Sequence, residues 1–232
     1  MDHRSPRLVA SAVALALALA ASACGTDDPA VVQPPPPATL AQLLGPWQAT
    51  PYVLDQVTWN RVEDACRSDM QLMAATRALI IDVRGATVAT VAMTGPQEAH
   101  CDALQLLPTG EIAGAGGGMS SGGPQQQIAL PATAIGPVQQ AEVLGGNLAV
   151  AGWSAYGPVG GGIATVTVEV AGLPRIVATV MNGQFAAWWP SPGALNRPNP
   201  PGLQAARQLP APPRLVVRGY DETGTLVNQV GQ

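Results

Sequence analysis

Apolar and polar residues alternate most cleanly between Gly162 and Pro190. Thr165, Thr167 and Glu169 interleave with Val166, Val168 and Val170, the period of two that marks a half-buried strand. Ala171-Gly172-Leu173-Pro174 breaks the run, and Arg175 to Met181 is β-branched and apolar enough for a second strand. Asn182-Gly183 follows, a pair suited to a type I′ turn because both central residues of that turn need positive φ. Gln184 to Trp189 completes a third strand, closed by Pro190. The stretch predicts a three-stranded antiparallel meander.

Weaker versions of the same pattern run through the rest of the chain. Leu40 to Trp47 predicts a short helical turn stopped by Gly45-Pro46. Thr58 to about Ser68 predicts a helix with Thr58 as its N-cap and Val62, Ala65 and Trp59 on one face. Strands are predicted at Ala78 to Val83 and Ala86 to Met93, with Arg84-Gly85 as the turn between them, and again from Cys101 to Leu107. Gly110 to Gly123 is dominated by glycine and predicts a flexible loop. Short strands are predicted at Ile128 to Leu130, Val138 to Leu144 and Leu148 to Trp153. Seven prolines between Ser191 and Pro213 leave no room for regular structure there. Leu215 to Tyr220 and Thr225 to Val230 predict a last hairpin across Asp221-Glu222-Thr223-Gly224. The resulting fold class is mainly β: an antiparallel, sandwich-like C-terminal lobe over 136–232, preceded by a small disulfide-bonded α+β lobe over 40–135.

The N-terminus has a different character. Arg4 and Arg7 precede an uncharged run of 16 apolar or small residues, Leu8 to Ala23. A membrane span needs about 20, so residues 1–23 are read as a signal peptide. Ala21-Ser22-Ala23-Cys24-Gly25 resembles the lipobox of bacterial lipoproteins, whose cysteine is acylated and becomes the first residue of the mature protein. Ala21 stands where that motif usually has Leu, and the alternative is ordinary secretory cleavage after Ala23. Residues 24–39, with four consecutive prolines at Pro34 to Pro37, form an extended tether of roughly 3.1 Å per residue. Lipid on Cys24 would make the membrane itself the first partner.

Cysteine count supports that assignment. Three cysteines would leave a stray thiol in a secreted protein, whereas lipid on Cys24 leaves Cys66 and Cys101 to form one disulfide. Without Cys-x-x-Cys spacing, that disulfide is read as structural and buried. The chain contains no lysine, and after removal of 1–23 it carries nine arginines against fourteen acids. A mildly acidic surface without a basic run argues against nucleic acid as a partner.

Several segments are similar to uncharacterised secreted and membrane-anchored proteins of actinobacteria. They are Asp82-Val83-Arg84-Gly85 before a strand, the cysteine pair bracketing it, Gly-Gln-Phe-Ala-Ala-Trp-Trp-Pro at 183–190, and Arg-Gly-Tyr-Asp-Glu-Thr-Gly at 218–224. The resemblance covers residues 58–101 and 150–230. It implies a secreted or anchored β protein and transfers no catalytic residue.

Candidate chemistry is sparse. Gly114 to Met119 lacks the third glycine and the strand–helix setting of a dinucleotide loop. Ser120 and Ser121 have no downstream histidine to act as base, since His100 is the single histidine of the mature chain. One histidine also falls short of a zinc set, and His100 is read as a solvent-exposed neighbour of the disulfide. No cofactor or metal is assigned. Glu63, Asp64, Asp69, Asp82, Asp102 and Glu111 could supply the paired carboxylates of a glycosidase of envelope polysaccharide. Asp221, Glu222 and Thr223 offer oxygens for calcium or, more simply, for a turn.

Trp153, Tyr156, Trp188 and Trp189 form the candidate binding surface. Alternation puts Trp188 and Trp189 on opposite faces of one strand. One belongs to the core; the other is either exposed, as a platform for a sugar ring or a partner's proline, or covered by the proline-rich stretch. The function expected is a non-catalytic binding or interaction module of the cell envelope, meeting an envelope protein or a glycan. A glycoside hydrolase and a structural assembly subunit are the alternatives.

Overall fold

A computed structural model of the chain describes residues 35–94, 98–101, 104–113, 117–120, 129–143, 152–191 and 211–231. The leader, Cys24 and the tether up to Pro34 lie outside them, as do Ile128, Leu148 to Ala151, and residues 192–210 of the proline-rich stretch. The described residues all belong to one unit, Pro35–Gln232. Two helices, α1 (Leu40–Leu43) and α2 (Gln56–Asp69), accompany fourteen strands among these residues. Within them, no helix is long and apolar enough to cross a membrane.

The strands form three antiparallel sheets. The first holds β1 (Arg77–Val83), β2 (Thr87–Thr94), β3 (Glu98–Cys101), β4 (Leu104–Leu106), β5 (Ile112–Ala113) and β6 (Gly117–Ser120). The second, in the order β11-β12-β8-β7, holds β7 (Gln139–Val143), β8 (Gly152–Pro158), β11 (Thr179–Met181) and β12 (Gln184–Pro190). The third, β10-β9-β13-β14, holds β9 (Thr165–Val170), β10 (Ile176–Val177), β13 (Leu215–Tyr220) and β14 (Leu226–Gly231). The fold is mainly β and antiparallel, and the Cys66–Cys101 disulfide is formed, with Cα atoms 5.8 Å apart.

Local chemistry accounts for most of these elements. The N-cap of helix α2 lies three residues before the predicted one: Asp55, not Thr58, caps it, its carboxylate accepting the Thr58 N–H at 2.6 Å. Val62 and Cys66 form its buried face. Thr39 and Gln42 make a reciprocal capping box on α1. Asn182 and Gly183 have φ of 52° and 71°, the backbone a type I′ turn requires. Asp221 holds the last hairpin by accepting the N–H groups of Thr223 and Thr225 at 2.9 and 3.0 Å, an Asx turn in place of a calcium site.

Other expectations are corrected. The predicted meander is not one sheet. Its second strand divides at Ala178: β10 pairs with β9 in the third sheet, and β11 pairs with β12 in the second. The chain thus turns a corner between two facing sheets, and Ala178 is small enough to lie buried there. The predicted Cys101–Leu107 strand is split into β3 and β4. Within the glycine-rich stretch, Gly117–Ser120 is strand β6 on the edge of β3, since glycine lowers strand propensity without blocking the ladder. Ala129 and Leu130 are not in a strand, and β8 runs on to Pro158 where the pattern predicted an end at Trp153.

Two cores result. The first gathers Val62 and Cys66 of α2 with Ile81, Val83, Val91, Leu104 and neighbours of the first sheet. The second lies between the facing second and third sheets and includes Val166, Val168, Phe185, Trp189 and Val217. Strand β1 also packs against β11 and β12, so β12 is covered on both faces. That explains why β12 is buried from Phe185 through Pro190 without alternation.

Candidate functional site

Strands β8 and β12 place all four aromatic candidates on the middle sheet. Trp153 and Trp189 are directly opposed across the β8–β12 ladder and point into the second core. Trp188 takes the other face, opposite Ser154. Alternation therefore assigns the faces correctly, but neither tryptophan is left for a ligand: Trp153, Trp188 and Trp189 are 5%, 2% and 0% exposed. Trp188 is covered from a segment 141 residues away. The Trp47 ring meets it edge-on at 6.4 Å, and the Trp47 indole N–H donates to the Trp188 carbonyl at 3.1 Å. Tyr156 stays half-buried, its ring 5.8 Å from that of His100 on β3. The three tryptophans serve as packing between layers, and Tyr156 remains part-exposed.

The same junction holds an ion pair that its local sequence disguises. Arg84, in the predicted turn between β1 and β2, is fully buried, as is Asp82. Arg84 Nε and Nη2 donate to the Asp82 carboxylate at 2.7 and 3.1 Å. Its remaining donors reach the carbonyls of Ala49 and Val177. Asp82 also accepts the Thr179 hydroxyl at 2.6 Å and the Trp188 backbone N–H at 3.2 Å. A bulge between Asp82 and Val83 accompanies this placement, which sends Ile81 and Val83 into the first core and leaves Asp82 to β11 and β12. Every oxygen and nitrogen of the pair has a partner, the condition under which a buried charge pair is tolerated.

That use removes Asp82 from the candidate carboxylates. Glu63 is held by Arg67 at 3.0 Å and by the Ala78 N–H at 2.9 Å, Asp64 pairs with Arg67, and Glu111 accepts from Thr109 at 3.2 Å. Asp102 lies outside the described residues, and Asp69 sits exposed at the end of α2. Among the described residues no three His, Cys, Asp or Glu side chains come together as a metal set. His100 is half-buried, not solvent-exposed, and its burial holds the imidazole pKa below the ordinary value.

A cleft at one end of the third sheet has no counterpart in the local residue pattern. It encloses about 830 Å³, within the usual range of ligand pockets. Leu173 and Val216 are its part-exposed apolar residues, and Val170 and Leu215 line it from positions buried in the second core; Glu169, Arg175 and Arg214 supply charge. The turn Ala171–Leu173 brings Arg175 back beside Glu169, with Nε 3.2 Å from the carboxylate. Arg218, on the neighbouring strand β13, pairs with the same carboxylate. Cross-strand register does this: β9 lies between β10 and β13, so both arginines converge on one acid. Comparison with family models, curated proteins and solved structures finds no match for this chain.

Proposed function

We propose that the protein is an extracytoplasmic lipoprotein of the bacterial cell envelope, anchored through lipid on Cys24, whose folded part is a non-catalytic binding module. One observation carries this reading. The disulfide consumes Cys66 and Cys101, both 1% exposed or less, so Cys24 is the one cysteine left over from a count of three. A buried structural disulfide favours an oxidising compartment, and the residual cysteine is the one that ends a signal-peptide-like run.

The binding role rests on the third-sheet cleft, the described surface where apolar walls and charged groups converge. The tether would hold that cleft within reach of envelope proteins and glycans. Detergent phase partition and membrane fractionation of Cys24→Ser test the anchor. The parent is expected in the membrane and detergent phase, and the variant in the soluble fraction. A variant that stayed membrane-bound would refute lipidation.

A further inference from the structure

We propose that the cleft at the end of the third sheet binds a ligand made of one anionic group, a carboxylate or a phosphate monoester, joined to a short apolar chain. This rests on the binding-module reading and names the class of ligand for that site.

The charge balance around the cleft carries the proposal. Seven arginines lie among the described residues. Arg61 donates to a carbonyl, Arg67 and Arg77 pair with Glu63, Arg84 with Asp82, and Arg175 and Arg218 with Glu169. Arg214 differs: it is exposed on the cleft wall and has no hydrogen bond or ion pair with any described residue. Arg175 and Arg218 therefore share the single carboxylate of Glu169, and Arg214 lines the same cleft without an acid of its own among the described residues. This occurs in a chain whose net charge is −4. Residues 24–135 contain four arginines and ten acids, whereas 136–232 contain five arginines and four acids. The local field of the cleft is thus opposite in sign to that of the chain, which favours arrival of anions.

Geometry narrows the class. A guanidinium offers a planar fork that fits the paired oxygens of a carboxylate or phosphate. Arg214 lines the cleft together with the part-exposed apolar residues Leu173 and Val216. An ion without an apolar portion would leave those residues wet; a neutral apolar molecule would leave Arg214 unused. Gly172, at the tip of the Ala171–Leu173 turn, has φ of 83° and open space where a Cβ would sit, so no side chain crowds the rim.

The test uses the purified full chain in nanodiscs, with empty discs as reference, and titrates hexanoate, hexyl phosphate and hexanol by calorimetry and by amide NMR shifts. Saturable binding of at least one of the two anions is expected, with shifts at Val170–Leu173 and Leu215–Val216 and no saturable binding of hexanol. Which anion binds more tightly distinguishes a carboxylate from a phosphate source. Arg214→Ala is expected to weaken binding about tenfold or more, the loss of a charged hydrogen bond. Glu169→Gln should tighten it, because it frees Arg175 and Arg218. Both side chains are at the surface, and circular dichroism verifies that each variant folds. Absence of saturable binding by both anions, equal affinity in Arg214→Ala, or weaker binding in Glu169→Gln would each overturn the proposal. None of these outcomes bears on the membrane fractionation of Cys24→Ser, so the ligand class and the anchored-lipoprotein reading fail separately.

Discussion

Replacing Arg84 by Met tests the account of the junction between the two cores. The substitution keeps much of the side-chain volume and removes the cation. It leaves the Asp82 carboxylate fully buried, with only the Thr179 hydroxyl and the Trp188 N–H as donors. It also strips a donor from the Val177 carbonyl; the Ala49 carbonyl keeps the Val177 N–H at 2.8 Å. Breaking one side of a buried pair costs about 3–5 kcal/mol, mostly the uncompensated charge. With a urea m-value of about 2 kcal/mol/M, the midpoint should fall by about 1.5–2.5 M. The assay is urea unfolding of the oxidised protein, followed by tryptophan fluorescence and far-ultraviolet circular dichroism. A double variant, Asp82→Asn with Arg84→Met, removes the buried charge and keeps an oxygen for Thr179 and Trp188. It should be more stable than Arg84→Met alone, a non-additivity that marks direct coupling. A loss below about 1 kcal/mol in Arg84→Met, the range of exposed pairs, would refute the reasoning.

Three further outcomes follow from the same structure. Cys66→Ala with Cys101→Ala opens a loop of 35 residues, and chain entropy puts the loss at about 4 kcal/mol, readable as a drop in thermal midpoint. Gly85→Ala should destabilise by at least about 1 kcal/mol in urea titration, because φ is +129° and the new Cβ would lie 2.8 Å from the Gly45 carbonyl oxygen. His100 has a folded pKa below the ordinary imidazole value of 6.5 because burial disfavours the charged ring. The unfolded chain therefore binds the proton first, and the stability His100 contributes is full above about pH 6.5 and lost as pH falls toward the folded value. Unfolding free energies measured from pH 7.5 downward should show that slope in the parent and a shallower one in His100→Gln.

Much of the fold was legible in the chain itself. Period-two alternation marked β9, the Asn182-Gly183 pair set the turn between β11 and β12, and the apolar runs located β1, β2 and β13, since each depends on neighbours within a few residues. Cysteine number, once Cys24 was assigned to the lipobox-like run, pointed to the Cys66–Cys101 bond. Alternation even assigned Trp188 and Trp189 to opposite faces correctly. It was silent on what covers each face, because Trp47 and β1 reach Trp188 only through tertiary packing. Arg84 was equally opaque: beside Gly85 it has the local signature of an exposed turn, and only the arrival of Ala49, Val177 and Thr179 from distant segments makes burial of its charge affordable. The division of the second predicted strand at Ala178 is set by which sheet each half can pair with, not by its composition. Likewise the cleft joins Glu169, Arg175 and Arg214 through strand register across 45 residues of chain. Short-range backbone and side-chain preferences wrote the elements into the sequence. Layer order, the buried ion pair and the cleft depend on long-range packing, where any one residue's environment is made by residues far from it in the chain.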